Sequence, residues 1–307
     1  MKRFQLWLVL ALACSMILAA AVPSAAAGKI AIVLKTLANP FWVTMKEGIE
    51  AEAKKQGVQV DIYSVSTEGD IKAQADLLDS ILQKDYVGIG VAPLTPVNLI
   101  PGVVRATKKG IPVVNIDEAI NATELANQGG KVISFVTTNN FKVGVQAAEF
   151  VVKKLGSKGG EVAIIEGMAG NVSGNDRRDG FKSVITKTHN FELVASQPGN
   201  WDRVTALNVA TNLLQRFPNL KAIYCANDTM ALGAAQAVQN AGRKDVIVVG
   251  TDGIPEALAA VKEGRLTATI AQDPAQIGAE SLRLLLDYVN GKKVPARSDV
   301  ASKLITK

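Results

Sequence analysis

Residues 29–65, KIAIVLKTLANPFWVTMKEGIEAEAKKQGVQVDIYSV, decide the fold. They open on a β-rich apolar run, 29–34, of the kind a strand buried on both faces requires. Phe41, Met45 and Ile49 then recur at helical spacing, with Lys46, Glu50 and Lys54 turned outward. Gly57 supplies the stop, and 58–64 returns to a strand. This is a β-α-β unit, whose two strands lie parallel in one sheet with the helix packed across it.

The same rhythm runs on through the chain. A helix is expected over about 70–83, a strand at 86–92, a helix through Arg105 stopped at Gly110, and a strand at 111–116. Further strand runs lie at 132–136, 161–166, 193–196, 222–226, 246–250 and 266–271. A helix over 201–216 would place Val204, Leu207, Thr211 and Leu214 on one face. Ten strands exceed one comfortable sheet, so the reading is α/β with two doubly wound parallel-sheet lobes. No low-complexity linker separates them, which favours a junction of several short crossings over one tether.

Composition narrows the function. Of 307 residues, 48% are hydrophobic and 20% charged, a globular balance. One histidine, His189, and two cysteines, Cys14 and Cys225, leave almost no material for zinc ligation or a Ser-His-Asp triad. Residues 1–27 read as a secretory leader: Lys2 and Arg3, an uncharged apolar run from Leu6 to Ala21, then Ala25-Ala26-Ala27. Its removal leaves 32 basic against 28 acidic residues and Cys225 without a partner, most simply a small buried hydrophobe. Lysines cluster only as pairs at helix ends, which is not a nucleic-acid footprint.

In an open α/β sheet, ligands bind beyond the carboxyl ends of the strands. Polar residues follow the strand runs at those places: Lys35 and Asn39, Asp117-Glu118, Asn227-Asp228, Thr251-Asp252 and Gln272. Trp42 and Trp201 sit at loop ends, where an indole face suits the C–H face of a sugar and the polar row its hydroxyls. Gly167-Met168-Ala169-Gly170 with Gly174 meets neither nucleotide fingerprint and reads as a strand-to-helix turn. A glycosidase needs two carboxylates flanking one bond. Asp117 and Glu118, adjacent on an extended strand end, would point opposite ways, so Asp252 would have to supply the second.

Several blocks together carry a family likeness: 35–42 (KTLANPFW), 195–198 (ASQP) with Trp201-Asp202-Arg203, 226–233 (ANDTMALG), 249–253 (VGTDG) and 268–272 (ATIAQ). Over nearly its whole length past the leader, the chain resembles the periplasmic sugar-binding proteins of the ribose/galactose type. That resemblance implies the type I periplasmic binding protein architecture, two lobes joined by a three-strand hinge. The lobes would be 28–138 plus 273–301 and 139–272 plus 302–307, with Thr138 and Gln272 near hinge crossings. It also implies a monomer in the periplasm, without cofactor or catalysis, that closes on a monosaccharide and hands it to an ABC-type permease. The site would hold Lys35, Asn39, Phe41, Trp42, Asp117 and Glu118 from one lobe, and Arg177, Trp201, Asn227, Asp252 and Gln272 from the other lobe and hinge. Arg177 is preferred to Arg178 because it keeps the family's spacing to Gly167 and Gly180. Ribose binders resembling this chain carry serine at Lys35, phenylalanine at Trp42 and Trp201, and Asp-Arg at Asp117-Glu118. These departures favour an aldohexose, D-allose first, with ribose, psicose and other hexoses as alternatives. An intracellular repressor of the same fold family would carry a DNA-binding helix-turn-helix where the leader stands.

Overall fold

The computed structural model describes residues 28–307; the leader expected over 1–27, with Cys14, lies outside the described residues. Nine elements alternate first: β1 (Ile30–Thr36), α1 (Pro40–Gln56), β2 (Val60–Val65), α2 (Ile71–Ile81), β3 (Gly88–Val91), α3 (Ile100–Lys108), β4 (Val113–Ile116), α4 (Ala122–Asn127) and β5 (Ser134–Thr138). The rhythm repeats with α5 (Asn140–Leu155), β6 (Gly160–Glu166), α6 (Val172–Ile185), β7 (Phe191–Pro198), α7 (Arg203–Arg216), β8 (Leu220–Cys225), α8 (Asp228–Asn240), β9 (Ile247–Asp252), α9 (Pro255–Glu263) and β10 (Ala268–Ala271). Then follow α10 (Pro274–Val289) and two short strands, β11 (Arg297–Val300) and β12 (Lys303–Thr306).

The strands form two six-stranded sheets, ordered β11-β5-β4-β3-β1-β2 and β12-β10-β9-β8-β6-β7. Within the first sheet every pairing is parallel. In the second only β10 and β12 run antiparallel. The sheets thus share one winding, with the order reversing between β1 and β3 and between β6 and β8, the switch points where a doubly wound sheet opens a crevice. The chain passes between the sheets three times, at 138–140, 271–274 and 300–303.

Each sheet is covered on both faces, as parallel sheets require. On the first, α1 and α10 bury Met45, Ile49, Ile277 and Leu285 on one side, while α2 and α3 bury Leu78, Ile81 and Val103 on the other. On the second, α5 and α6 bring Val151, Phe181 and Ile185 to one face, and α7, α8 and α9 bring Leu213, Met230 and Val261 to the other. Each such side chain contributes about 1.5–3 kcal/mol on burial. Phe181 stacks on Tyr224 of β8 at 4.6 Å between ring centres. The backbones of α5 and α6 also touch: a Cβ on Gly144 would fall 2.0 Å from the Arg177 carbonyl oxygen. That contact fixes the turn of α6 that carries Arg177.

Each of the ten expected strands overlaps an observed one. β11 and β12 escape the pattern because they are four-residue edge strands, RSDV and KLIT, with little buried surface to impose alternation. The helix expected from Trp201 begins instead at Arg203, capped by Asp202, whose carboxylate accepts from Thr205 N at 2.7 Å. Its buried face is also different: Val204 is 65% exposed, whereas Ala206, Ala210, Leu213 and Leu214 are buried. The backbones of α7 and α8 touch, a Cβ on Gly233 falling 2.2 Å from the Arg203 carbonyl oxygen, and the face of α7 that is buried carries the small Ala206 and Ala210 beside Leu213 and Leu214.

Candidate functional site

The carboxyl ends of the two sheets enclose a cleft of about 320 Å³, part of it open to solvent. Lys35, Asn39, Phe41, Trp42, Glu68 and Asp117 line it from the first sheet, and Ser173, Arg177, Trp201, Asn227 and Asp252 from the second. Of the residues expected from sequence, Glu118 and Gln272 stand behind this wall. Glu68 and Ser173 join it unannounced.

The first wall is built at the end of β1 and the start of α1. Asn39 caps α1, its side-chain oxygen accepting from Phe41 N at 3.1 Å, which leaves the amide NH₂ as a donor. Pro40 at the first helical turn then fixes the exit angle. Phe41 meets the Trp42 ring edge-on at 5.1 Å between centres. The Trp42 indole N–H donates to Glu68 at 3.2 Å. Lys35 is buried, with its ammonium 3.5 Å from Glu118, 3.9 Å from Glu68 and 5.5 Å from the centre of the Trp42 ring. Burial opposes that charge, but the carboxylates of Glu118, Glu68 and Asp117 outweigh it and raise the lysine's pKa.

Asp117 follows β4 in a left-handed conformation, φ 59°, so the alternation expected of an extended strand end does not hold there. Its N–H donates to the Val136 carbonyl at 2.7 Å, and the Asp117 carbonyl accepts from the Thr137 hydroxyl at 2.8 Å. Burial pushes its carboxyl up to about 6 against the pull of Lys35 and Arg177.

On the second wall, Arg177 donates through Nε to Asn140 at 2.8 Å and through Nη1 to the Ala226 carbonyl at 2.7 Å. Nη1 also lies 3.5 Å from Asp252. Arg178, by contrast, pairs with Glu166 and Asp179 and stays partly exposed. Asn227 caps α8 by accepting from Met230 N at 2.9 Å. Asp252 ends β9 at φ 124°, and burial raises its pKa despite the arginine. Gln272 donates to Asp252 at 2.7 Å from behind. Asp228, wholly buried, holds the next turn by accepting from Gly253 N at 2.6 Å and Ile254 N at 3.0 Å.

Trp201 explains the glycine run. Its ring lies so close to β6 and α6 that a Cβ on Gly167 would sit 2.1 Å from Cζ2, and one on Gly174 at 3.1 Å. Asn200 and Trp201 both take positive φ, 54° and 62°. With Asp117 and Asp252, four of the five non-glycine residues of positive φ among those described thus belong to the cleft or adjoin it. Such strain persists where the surroundings enforce it, and it concentrates at functional sites.

Two residues bind the walls to each other. Glu118, at the end of β4, accepts from Val172 N at 2.5 Å and from the Ser173 hydroxyl at 2.6 Å, both at the start of α6. Asn171 donates to the Leu94 carbonyl on the first side at 2.8 Å while accepting from the Trp201 indole at 2.8 Å. Among the described residues, Asp117 Oδ1, Gln272 Oε1 and Thr138 Oγ1 are buried without a hydrogen-bond partner. Ser134 Oγ and Glu161 Oε2, away from the cleft, lack a partner too; of the five atoms only Asp117 Oδ1 belongs to a residue that lines the cleft, where it leaves acceptor capacity unused. No group of histidine, cysteine and carboxylate side chains able to hold a metal occurs among the described residues.

Residues 30–293 match the family described as periplasmic binding protein domain. The chain is 56% identical to the D-allose-binding periplasmic protein of Escherichia coli strain K12, over 91% of each chain. It is 37% identical to the ribose import binding protein of the same strain, over 91% of this chain and 90% of that one. A crystal structure of an ABC transporter periplasmic solute binding protein from Actinobacillus succinogenes, with bound D-allose, superposes with a TM-score of 0.87 at 33% identity. It covers 91% of this chain and 97% of that one. A chain matched over this length, in both sequence and fold, belongs to the periplasmic binding protein family.

Proposed function

We propose that this protein captures a monosaccharide, D-allose first among the candidates, in the periplasm and delivers it to an ABC-type permease without transforming it. One observation carries the reading: two indoles, Trp42 and Trp201, stand in a cleft rimmed by Asp117, Asp252, Lys35, Arg177 and the amides of Asn39 and Asn227. Indole faces suit the apolar face of a pyranose, while ionised and amide groups suit its rim of hydroxyls. Charge-assisted hydrogen bonds of this kind contribute about 1.5–3 kcal/mol each. Inverting one hydroxyl leaves a buried partner unpaired, at a cost of about 1–3 kcal/mol, which is the source of discrimination. The 56% identity to a protein named for D-allose binding, and the D-allose in a structural neighbour, support the choice of sugar.

The lobes of the proposal are 28–138 plus 273–301 and 139–272 plus 302–307, hinged at the three crossings. A sugar touching both walls favours their approach by differential contact. The test is a calorimetric titration with D-allose, D-psicose, D-ribose and D-galactose, followed in parallel by tryptophan fluorescence. D-allose should bind most tightly and perturb the emission. Tighter binding of D-ribose would overturn the hexose assignment, and no binding of any of them the whole reading.

A further inference from the structure

The loop between β2 and α2, residues 66–70, brings a carboxylate into the cleft that the strand-end pattern did not single out. The loop is pinned at both ends. The Thr36 hydroxyl of β1 donates to the Ser66 carbonyl at 2.8 Å, and the Asp70 carboxylate accepts from Thr67 N at 2.8 Å. From this base Glu68 reaches the cleft with a side chain only 16% exposed. One of its oxygens accepts from the Trp42 indole N–H at 3.2 Å, and the other lies 3.9 Å from the Lys35 ammonium. Lys35 in turn stands 5.5 Å from the centre of the Trp42 ring. The three residues close a triangle within the first wall, so its contacts do not depend on how far the two walls have closed.

A buried indole needs an acceptor for its N–H, and Trp42 is only 3% exposed. The start of α1 fixes its Cα and Phe41 its edge, but the N–H partner selects the rotation of the ring. We infer that Glu68 is the positioning residue of the first wall: it sets the plane of the Trp42 indole and tethers Lys35, so that ring face and ammonium meet the same sugar. The inference rests on the monosaccharide reading, but its structural half can be tested without any ligand.

In ¹⁵N-labelled protein free of sugar, the Trp42 indole N–H resonance is identified by its loss in Trp42→Phe. Glu68→Ala should shift it strongly. Glu68→Gln, which keeps an acceptor oxygen but loses the charge facing Lys35, should leave it near its original place. In D-allose titrations, Glu68→Ala should weaken binding by about 10- to 100-fold, the range for losing a buried charged acceptor. Glu68→Gln should recover part of that loss. In a Trp42→Phe background the Glu68→Ala penalty should shrink at least severalfold, because most of it acts through the indole. An unmoved resonance in Glu68→Ala, or an equal penalty in both backgrounds, overturns the inference. Failure of the unmutated protein to bind any sugar overturns the functional reading alone, because the resonance still reports the contact.

Discussion

At Asp117 the proposed sugar contact and the stability of the fold oppose each other. Its left-handed backbone and buried carboxyl both cost free energy, and burial raises its pKa from 3.8 to about 6. A carboxyl with a raised folded-state pKa keeps a proton that the unfolded chain has already released. Its contribution is therefore fully present below about 4 and is lost as pH rises through about 6. Asparagine mimics the protonated form. Asp117→Asn should thus raise the pH 7 stability of the sugar-free protein by up to about 3 kcal/mol, with the gain vanishing near pH 4 in urea titrations. The same variant should lose at least about tenfold in D-allose affinity, since an ionised acceptor is replaced by a neutral one. At Gly167 the constraint is space. Gly167→Ala should displace the Trp201 ring, lowering sugar affinity severalfold and altering Trp201 emission in a Trp42→Phe background. Lys35, Trp42 and Asp252 were legible because each follows a strand run. Glu68 was not, because it sits in a polar turn, 66–70, where its neighbours are ordinary loop residues. The need for glycine at 167 was equally hidden, since the ring it accommodates comes from 34 residues further along the chain.

Among the elements, the start of α6 carries the contact between walls. Its first N–H groups lack intrahelical partners and its end of the helix dipole is positive, so the Glu118 carboxylate is well matched there. The sequence placed Glu118 among the sugar contacts. Its oxygens are instead engaged by Val172, Ser173 and Lys35, a pairing across sheets that no local pattern encodes. Glu118→Gln keeps the shape and removes the charge. It should weaken sugar binding roughly tenfold and lower the stability of the sugar-free protein by about 1.5–3 kcal/mol, because the buried Lys35 ammonium loses its nearest carboxylate. Small-angle scattering should then find a larger radius at subsaturating sugar than in the unaltered chain. An unchanged radius and affinity would mean that Glu118 does not contribute to holding the walls together. Interior strands were readable from their apolar runs, whereas the buried side of α7 was not, because alanine packing leaves a weak periodic signal.

For the molecule as a whole, winding was the most legible property and the joining of the two halves the least. Repeated β-α-β runs specify a sheet order for each half. Which strands finish each sheet depends on pairing at a distance: β11 joins β5, and β12 joins β10, across more than 30 residues in each case. A chain ending after residue 296 should therefore lose both edge strands together. It should melt at least about 4 °C lower and lose protection of the β5 and β10 amides in hydrogen exchange. Unaltered protection at β5 or β10 would mean that the edges are dispensable.

The terminal pair of strands also fixes a schedule. Neither sheet can gain its outermost strand until residues 297–306 have been made, so both halves wait on the same ten residues. For a protein at work in the periplasm, as proposed, a chain lacking those residues would carry two open sheet edges, each a row of unpaired N–H and C=O groups ready to pair with a neighbour.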